Sequence, residues 1–251
     1  MAVLGRFCWY DLFTPDAAKS EAFYGDVVGW NIKNMAPPNA PPYPMMLPAG
    51  AQAPIGGMRG ARGHAAWLGY IAVDDMATTM IAAQDAGAKP DGDPQTIPGV
   101  GRFIVMKDPT GATFALFKGA DDTPGSDARV GMGGIDWHEL LTTDPDAAWA
   151  FYSKVFKWEA NGEMEMGEGG KYRMFKKAGG DHSLGGIMKA PPGMPGSAWI
   201  HCATVPDADK ALDKAKSKGA EIFFGPQDVP GGRYGTFMDP QGAVFSVYAD
   251  T

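Results

Sequence analysis

Two carboxylates stand beside two indoles at matching places in the chain. Trp9 and Asp11 are two residues apart, and Trp137 and Glu139 repeat them 128 residues later. Side chains of a strand alternate between faces, so each acid shares a face with its tryptophan. A carboxylate is rarely buried without a partner, and one held against an indole can serve as a general base. Tryptophan faces suit flat rings and cations. Arg102 and Arg233 are the predicted partners: each follows a glycine and precedes the Asp of an Asp-Pro turn by six residues. An arginine there can pair with the carboxylate, grip an anionic ligand group with two N–H donors, or stand solvated at the strand end. Other chemistry finds little support. No Gly-x-Ser-x-Gly elbow exists, the four histidines form no evident triad with Ser or Cys, and the Gly-Gly pairs lack the setting of a phosphate loop.

The elements that must position these residues are written twice. Residues 135–142 repeat 7–14, and Asp239-Pro240-Gln241-Gly242 repeats Asp108-Pro109-Thr110-Gly111. The offset is 128 at Trp9 and Trp137, 132 at Trp67 and Trp199, and 131 at Asp108 and Asp239. A repeat this long is a duplicated domain rather than a solenoid unit. The expected organisation is domain one over 1–119, a Gly/Asp/Ser/Pro-rich linker over 120–132 and domain two over 133–251, each large enough to bury a core. Each half divides into two units of strand, helix and further strands. Helices are predicted after Asp16, Asp75, Asp144 and Asp207, whose carboxylates suit the free N–H groups of a first turn. Strands are predicted near 6–13, 43–47, 55–58, 66–73, 102–106 and 113–117. Their repeats fall near 134–142, 172–176, 184–188, 199–205, 234–238 and 244–248.

Composition narrows the classes. The 251 residues are 45% hydrophobic and 20% charged, with a net charge of −7. An acidic chain with no Lys/Arg cluster is not expected to bind nucleic acid. No apolar run approaches membrane-spanning length, and no basic segment followed by an apolar one opens the sequence, so neither a membrane anchor nor a signal peptide is expected. Cys8 and Cys202 occupy non-equivalent places in the repeats and read as reduced thiols of a cytoplasmic protein. The chain is expected to be a monomer or homodimer. The fifteen methionines read as core filler or as adaptable apolar surface.

The ordered motifs resemble the vicinal-oxygen-chelate superfamily of glyoxalase I, bleomycin-resistance proteins and extradiol dioxygenases. They are the first strand leading to an Asp-capped helix, Ala22-Phe23-Tyr24 and Ala150-Phe151-Tyr152, the helix-end Trp30 and Trp158, Gly56-Gly57 and Gly185-Gly186, and the closing Asp-Pro-x-Gly turns. The resemblance implies an α+β fold of tandem domains. Each would have two βαβββ modules forming a curved half-barrel sheet around a cleft, with helices outside. In metal-using members the ligands are His or Glu at positions that fall here on Trp9, Leu68 and Ala115, and on Trp137, Ile200 and Ser246. Indole and aliphatic groups cannot ligate, and Ser seldom does, so no cofactor is expected at the usual positions. His138 and His201 are expected to be satisfied, half-buried histidines; His201 would join Glu139 only if its strand slipped by one residue.

By parity the implied clefts carry Trp9, Asp11, Phe13, Leu68, Tyr70, Ala115 and Phe117 in one half. The other half carries Trp137, Glu139, Leu141, Ile200, Cys202, Ser246 and Tyr248. Such walls either pack the interior or bind an aromatic or cationic small molecule. Three functions compete: a metal-free ligand-binding protein of the bleomycin-resistance type; a glyoxalase-like lyase or isomerase, or a dioxygenase or hydroxylase, using Asp11 or Glu139; and an interaction protein with degenerate clefts. An acid kept in both copies favours working clefts.

Overall fold

The computed structural model describes residues 4–36, 39–120 and 131–251. Most of the predicted linker, 121–130, lies outside the described residues, as do 37–38 and 1–3.

The first module is β1 (Phe7–Thr14), α1 (Ala17–Val27), β2 (Asn31–Asn34), β3 (Pro44–Leu47) and β4 (Gly56–Gly60). The second is β5 (Ala66–Ala72), α2 (Met76–Asp85), β6 (Lys89–Pro90), β7 (Gln95–Ile97), β8 (Gly101–Lys107) and β9 (Thr113–Gly119). The third comprises β10 (Ile135–Thr142), α3 (Pro145–Phe156), β11 (Glu159–Glu165), β12 (Lys171–Lys176) and β13 (Gly185–Lys189). The fourth comprises β14 (Ala198–Thr204), α4 (Ala208–Ser217), β15 (Glu221–Val229), β16 (Gly232–Met238) and β17 (Val244–Asp250). The α+β pattern of βαβββ modules is therefore present. One sheet has the order β2-β3-β4-β1-β5-β9-β8-β6, with β7 also on β8; the other runs β11-β12-β13-β10-β14-β17-β16-β15. In every module the first strand runs parallel to the last.

All four helices start where the aspartates place them. Asp16, Asp75, Asp144 and Asp207 accept from the backbone N–H three residues on, at 3.1, 2.8, 3.0 and 3.0 Å. These bonds satisfy donors that the first helical turn leaves open. They hold the Asp16 and Asp75 carboxyls below their ordinary range.

Compaction does not follow the repeats. One unit holds the described residues of Met1–Trp9, Gly69–Ala128 and Trp137–Trp199; the other holds those of Tyr10–Leu68, Arg129–Asp136 and Ile200–Thr251. Each unit draws on both repeats, so the core expected inside each half is shared between halves. In the second unit Phe23 packs on Phe237 and Tyr24 on Phe245, with centroids 5.7 and 5.6 Å apart. The Tyr24 hydroxyl donates to Asp239 Oδ2 at 2.9 Å and accepts from Trp67 Nε1 at 3.2 Å. Trp30 Nε1 donates to the Gly133 carbonyl at 2.6 Å. The first unit mirrors this. Phe114 meets Phe151 and Tyr152, both at 5.8 Å. Trp199 Nε1 donates to the Tyr152 hydroxyl at 2.8 Å, and Trp158 Nε1 to the Gly5 carbonyl at 2.6 Å. Burial first, then Asp239 or Asp108, pushes both phenols well above their ordinary range. The Ala-Phe-Tyr, helix-end Trp and Asp-Pro-x-Gly motifs thus clamp modules of different repeats together. Among the described residues no helix is long and apolar enough to cross a membrane.

Candidate functional site

Asp11 is fully buried in β1 and both its oxygens are occupied. The Tyr43 hydroxyl donates to Oδ1 at 2.5 Å, and Arg59 Nε donates to Oδ2 at 2.6 Å. The Arg59 guanidinium also lies 4.6 Å from the centre of the Tyr43 ring. Charge-assisted bonds of this kind make a buried carboxylate tolerable.

The other repeat builds a related group. Tyr172 donates its hydroxyl proton to Glu139 Oε1 at 2.8 Å and accepts from Trp137 Nε1 at 2.9 Å. The N–H of the indole thereby aims the phenol's proton at the acid. Strand pairing makes the groups equivalent: Met45 faces Gly57 as Met174 faces Gly186, which equates Tyr43 with Tyr172. Phe13 faces Arg59 as Leu141 faces Met188, so the position of the Arg59 cation is a thioether in the second repeat.

The Gly-Gly pairs explain how the tyrosines arrive. A Cβ on Gly57 would fall within the Tyr43 ring, and one on Gly186 within the Tyr172 ring. A Cβ on Gly56 would strike the Tyr10 carbonyl, and one on Gly185 the His138 carbonyl. One glycine lets the parallel strands meet, and the next leaves a floor on which the ring lies while its hydroxyl reaches the acid. Chemically, each site pairs a hydrogen-bond-accepting carboxylate with a phenol donor. That suits a ligand N–H or O–H, or proton transfer.

The two predicted arginines do not join these sites. Phe114 packs on α3, so its neighbour Ala115 faces away from the helices. Ala115 pairs with Tyr70 and Val105, and Phe117 with Phe103, which puts all of them on that helix-free face. Tyr70 and Phe103 meet there edge to face at 5.5 Å. Arg102, one residue before Phe103, is exposed and belongs to the opposite face. Arg233 likewise leaves the helix-free face and reaches α4. It donates to Asp209 through Nε at 2.6 Å and Nη2 at 2.9 Å, and to Asp228 through Nη1 at 2.9 Å. Those bonds raise the Arg233 guanidinium further. Strand parity, which placed the acids, excludes these arginines.

Of the remaining candidates, Cys202 pairs with Ser246 and Tyr234 with Tyr248, on the helix-free face of the second unit. The Tyr248 hydroxyl donates to the Gly231 carbonyl at 2.6 Å. Trp9 and Trp137 are half-buried. His201 points the other way from Cys202 and meets Tyr10 edge-on at 5.0 Å. Its burial is complete and pushes its pKa down to about 3, so it stays neutral. His138 lies against Phe7, with centroids 4.3 Å apart. The one-residue slip that would re-aim His201 does not occur. Desolvation pushes the Cys8 thiol up to about 12, which keeps it protonated.

The usual metal-ligand positions do not fit a metal. Trp9, Leu68, Ala115, Trp137 and Ile200 offer no donor, and Ser246 is already bonded to Tyr234 and Thr236 hydroxyls at 2.7 and 2.9 Å. Among the described residues no three His, Cys, Asp or Glu side chains gather as a metal-binding group. A hollow of about 470 Å³ lined by Lys19, Phe23, Lys218 and Gln241 contains none of the candidates. Its Gln241 serves α1 instead, donating to Asp16 O and Ser20 Oγ at 3.1 and 2.6 Å.

Tyr43, Tyr172 and Arg59 were absent from the sequence-derived candidates. A signal for the tyrosines existed: each precedes the second glycine of its Gly-Gly pair by 14 residues. Arg59 had none, because the repeat places Met188 there.

Comparison with known proteins shows the family and the fold. A family model described as the Glyoxalase/Bleomycin resistance protein/Dioxygenase superfamily matches residues 6–116 and 134–247. The "Putative glyoxylase CFP32" of Mycobacterium tuberculosis is 35% identical over 248 residues, spanning 95% of this chain and 92% of that protein. The anthracycline biosynthesis protein DnrV of Streptomyces peucetius is 28% identical over 259 residues, spanning 97% and 92%. Among solved structures, the Mn(II)-bound glyoxalase from Novosphingobium aromaticivorans superposes with a TM-score of 0.68 at 18% identity, spanning 98% of this chain and 82% of that one. At that identity the likeness concerns the fold.

Proposed function

Because the chain belongs to the glyoxalase/bleomycin resistance protein/dioxygenase superfamily, we propose that it binds a small organic molecule, aromatic or cationic, at its acid–tyrosine sites and without the usual metal. The observation carrying this reading is the duplicated group itself: Tyr43 on Asp11 and Tyr172 on Glu139, each ring seated on a glycine. In the second repeat the Glu139 carboxylate, the Tyr172 phenol and the Trp137 indole form a recognition surface for a flat ring with one polar substituent. The likeness to a protein named for anthracycline biosynthesis supports an aromatic ligand. A cytoplasmic location belongs to the same proposal and rests on two cysteines outside any disulfide.

A second reading is catalysis of the lyase, isomerase or dioxygenase/hydroxylase kind with an atypical site. The Trp137–Tyr172–Glu139 chain favours it, since it directs a phenol proton to a carboxylate able to act as a base.

Two measurements test the proposal. Elemental analysis of protein purified without chelator is expected to show no stoichiometric Zn, Ni, Fe or Mn; a full equivalent held by the protein would sink the metal-free reading. A thermal-shift screen of aromatic and cationic compounds is expected to find ligands that raise the melting temperature. The Asp11→Asn/Glu139→Gln double variant should stay folded and lose that response. An unchanged response would move the site elsewhere.

A further inference from the structure

The second and fourth modules share one register, and at four paired positions inside their last two strands the helix-free faces differ in the same direction, whereas on the neighbouring strand Tyr70 of the second module stands where the fourth has Cys202. Phe103 pairs with Phe117 as Tyr234 pairs with Tyr248, and Val105 pairs with Ala115 as Thr236 pairs with Ser246. At all four positions the later module carries the earlier module's side chain with a hydroxyl added or substituted: Phe to Tyr, Val to Thr, Ala to Ser and Phe to Tyr. The face assignment is independent of this comparison. A Cβ on Gly235 would strike Leu212 of α4, and Phe237 packs on Phe23 of α1, so Tyr234 and Thr236 point away from the helices.

Three of the added hydroxyls meet. Tyr234 Oη and Ser246 Oγ are 2.7 Å apart, Thr236 Oγ1 and Ser246 Oγ 2.9 Å, and Thr236 Oγ1 donates to Tyr234 Oη at 3.0 Å. The fourth, on Tyr248, is spent on the Gly231 carbonyl. Ser246 is fully buried and Thr236 is 8% exposed. Hydroxyls are costly in such a place, and packing does not demand them: the second module fills the same register with Phe, Val and Ala.

We propose that the Tyr234–Thr236–Ser246 triangle is a subsite for an uncharged oxygen substituent of the ligand, a hydroxyl or carbonyl, which the Phe103, Val105 and Ala115 positions of the second module do not repeat. This rests on the small-molecule reading above and names the class of ligand. A ring of three hydroxyls can open one internal bond and either donate to a ligand oxygen or accept from a ligand O–H. A site built to bond an oxygen discriminates strongly against an isostere lacking it.

The test uses 2-naphthol and 2-methylnaphthalene, of similar shape and differing in hydroxyl against methyl, titrated against the full chain by tryptophan fluorescence. Wild type is expected to bind 2-naphthol about tenfold more tightly, the scale of one good hydrogen bond. The Tyr234→Phe/Thr236→Val/Ser246→Ala variant, which installs residues the fold already accepts at that register, is expected to reduce the preference to within about twofold of parity. Thr236→Val alone should reduce it part-way, and serves if the triple variant does not fold. A preference unchanged in these variants, or absent from wild type while both compounds bind, overturns the subsite and leaves the ligand-binding reading standing. Binding of neither compound to wild type overturns the subsite and also counts against the aromatic reading beneath it.

Discussion

Asp11 is a buried charge whose tolerance depends on its neighbours. Replacing Arg59 with Met, the residue at that place in the other repeat, leaves the acid without its cation. The expected cost is about 1–3 kcal/mol in urea denaturation, at the low end of buried pairs because the Arg59 side chain is 39% exposed. Adding Asp11→Asn should recover most of it, and a double variant no more stable than Arg59→Met alone would show that the pair is not coupled. Gly57→Ala should displace the Tyr43 ring and cost about 1–3 kcal/mol by overpacking. His201 provides a pH test. Its folded pKa is about 3 against 6.5 ordinarily, so the unfolded chain binds the proton more readily. Its contribution is therefore whole above pH 6.5 and is lost as pH falls towards 3, by up to about 1.4 kcal/mol per unit. His201→Phe should flatten that part of the stability profile. At this scale the acids and their tryptophans were legible, because strand alternation is local. Their true partners were not. Tyr43 and Arg59 reach Asp11 across 32 and 48 residues of chain, and only the pairing of β3 with β4 and of β4 with β1 brings them close.

The helices were readable from their first residues. An aspartate before an apolar-periodic run is a local signal with a local cause, and Asp144→Ala or Asp207→Ala should lower stability by about 1 kcal/mol each, measured by urea melts. Strands with one buried face were also readable. The unread strands were β2, β11 and β15, whose residues are mostly exposed, and the short β6 and β7. A strand with solvent on both faces has no alternation to read; backbone pairing alone holds it in place. The arginines failed at this scale too. Their spacing from the Asp-Pro turns was right, but an odd step along β8 or β16 turns a side chain from one face to the other.

The duplication was plain in the residue offsets, yet offsets report likeness and not contact. Nothing in them announces that Tyr24 would bond Asp239, or that Phe114 would lie on Phe151. A polypeptide of residues 133–251 alone would expose Phe237 and Phe245, which in the whole chain cover Phe23 and Tyr24. It is expected to lack a cooperative melt as a monomer by circular dichroism and sedimentation, and to regain one when mixed with residues 1–119. A stable monomeric half would contradict the shared cores.

One compact unit joins the first module to the fourth and the other the second to the third, so each is completed across the repeat boundary. Had the two copies been separate molecules, closing those cores would depend on how much protein was present. A covalent tether makes closure unimolecular, with an effective concentration that dilution does not change. Such a chain escapes the demand that both partners be identical, and its copies are free to drift apart in chemistry while preserving their fit.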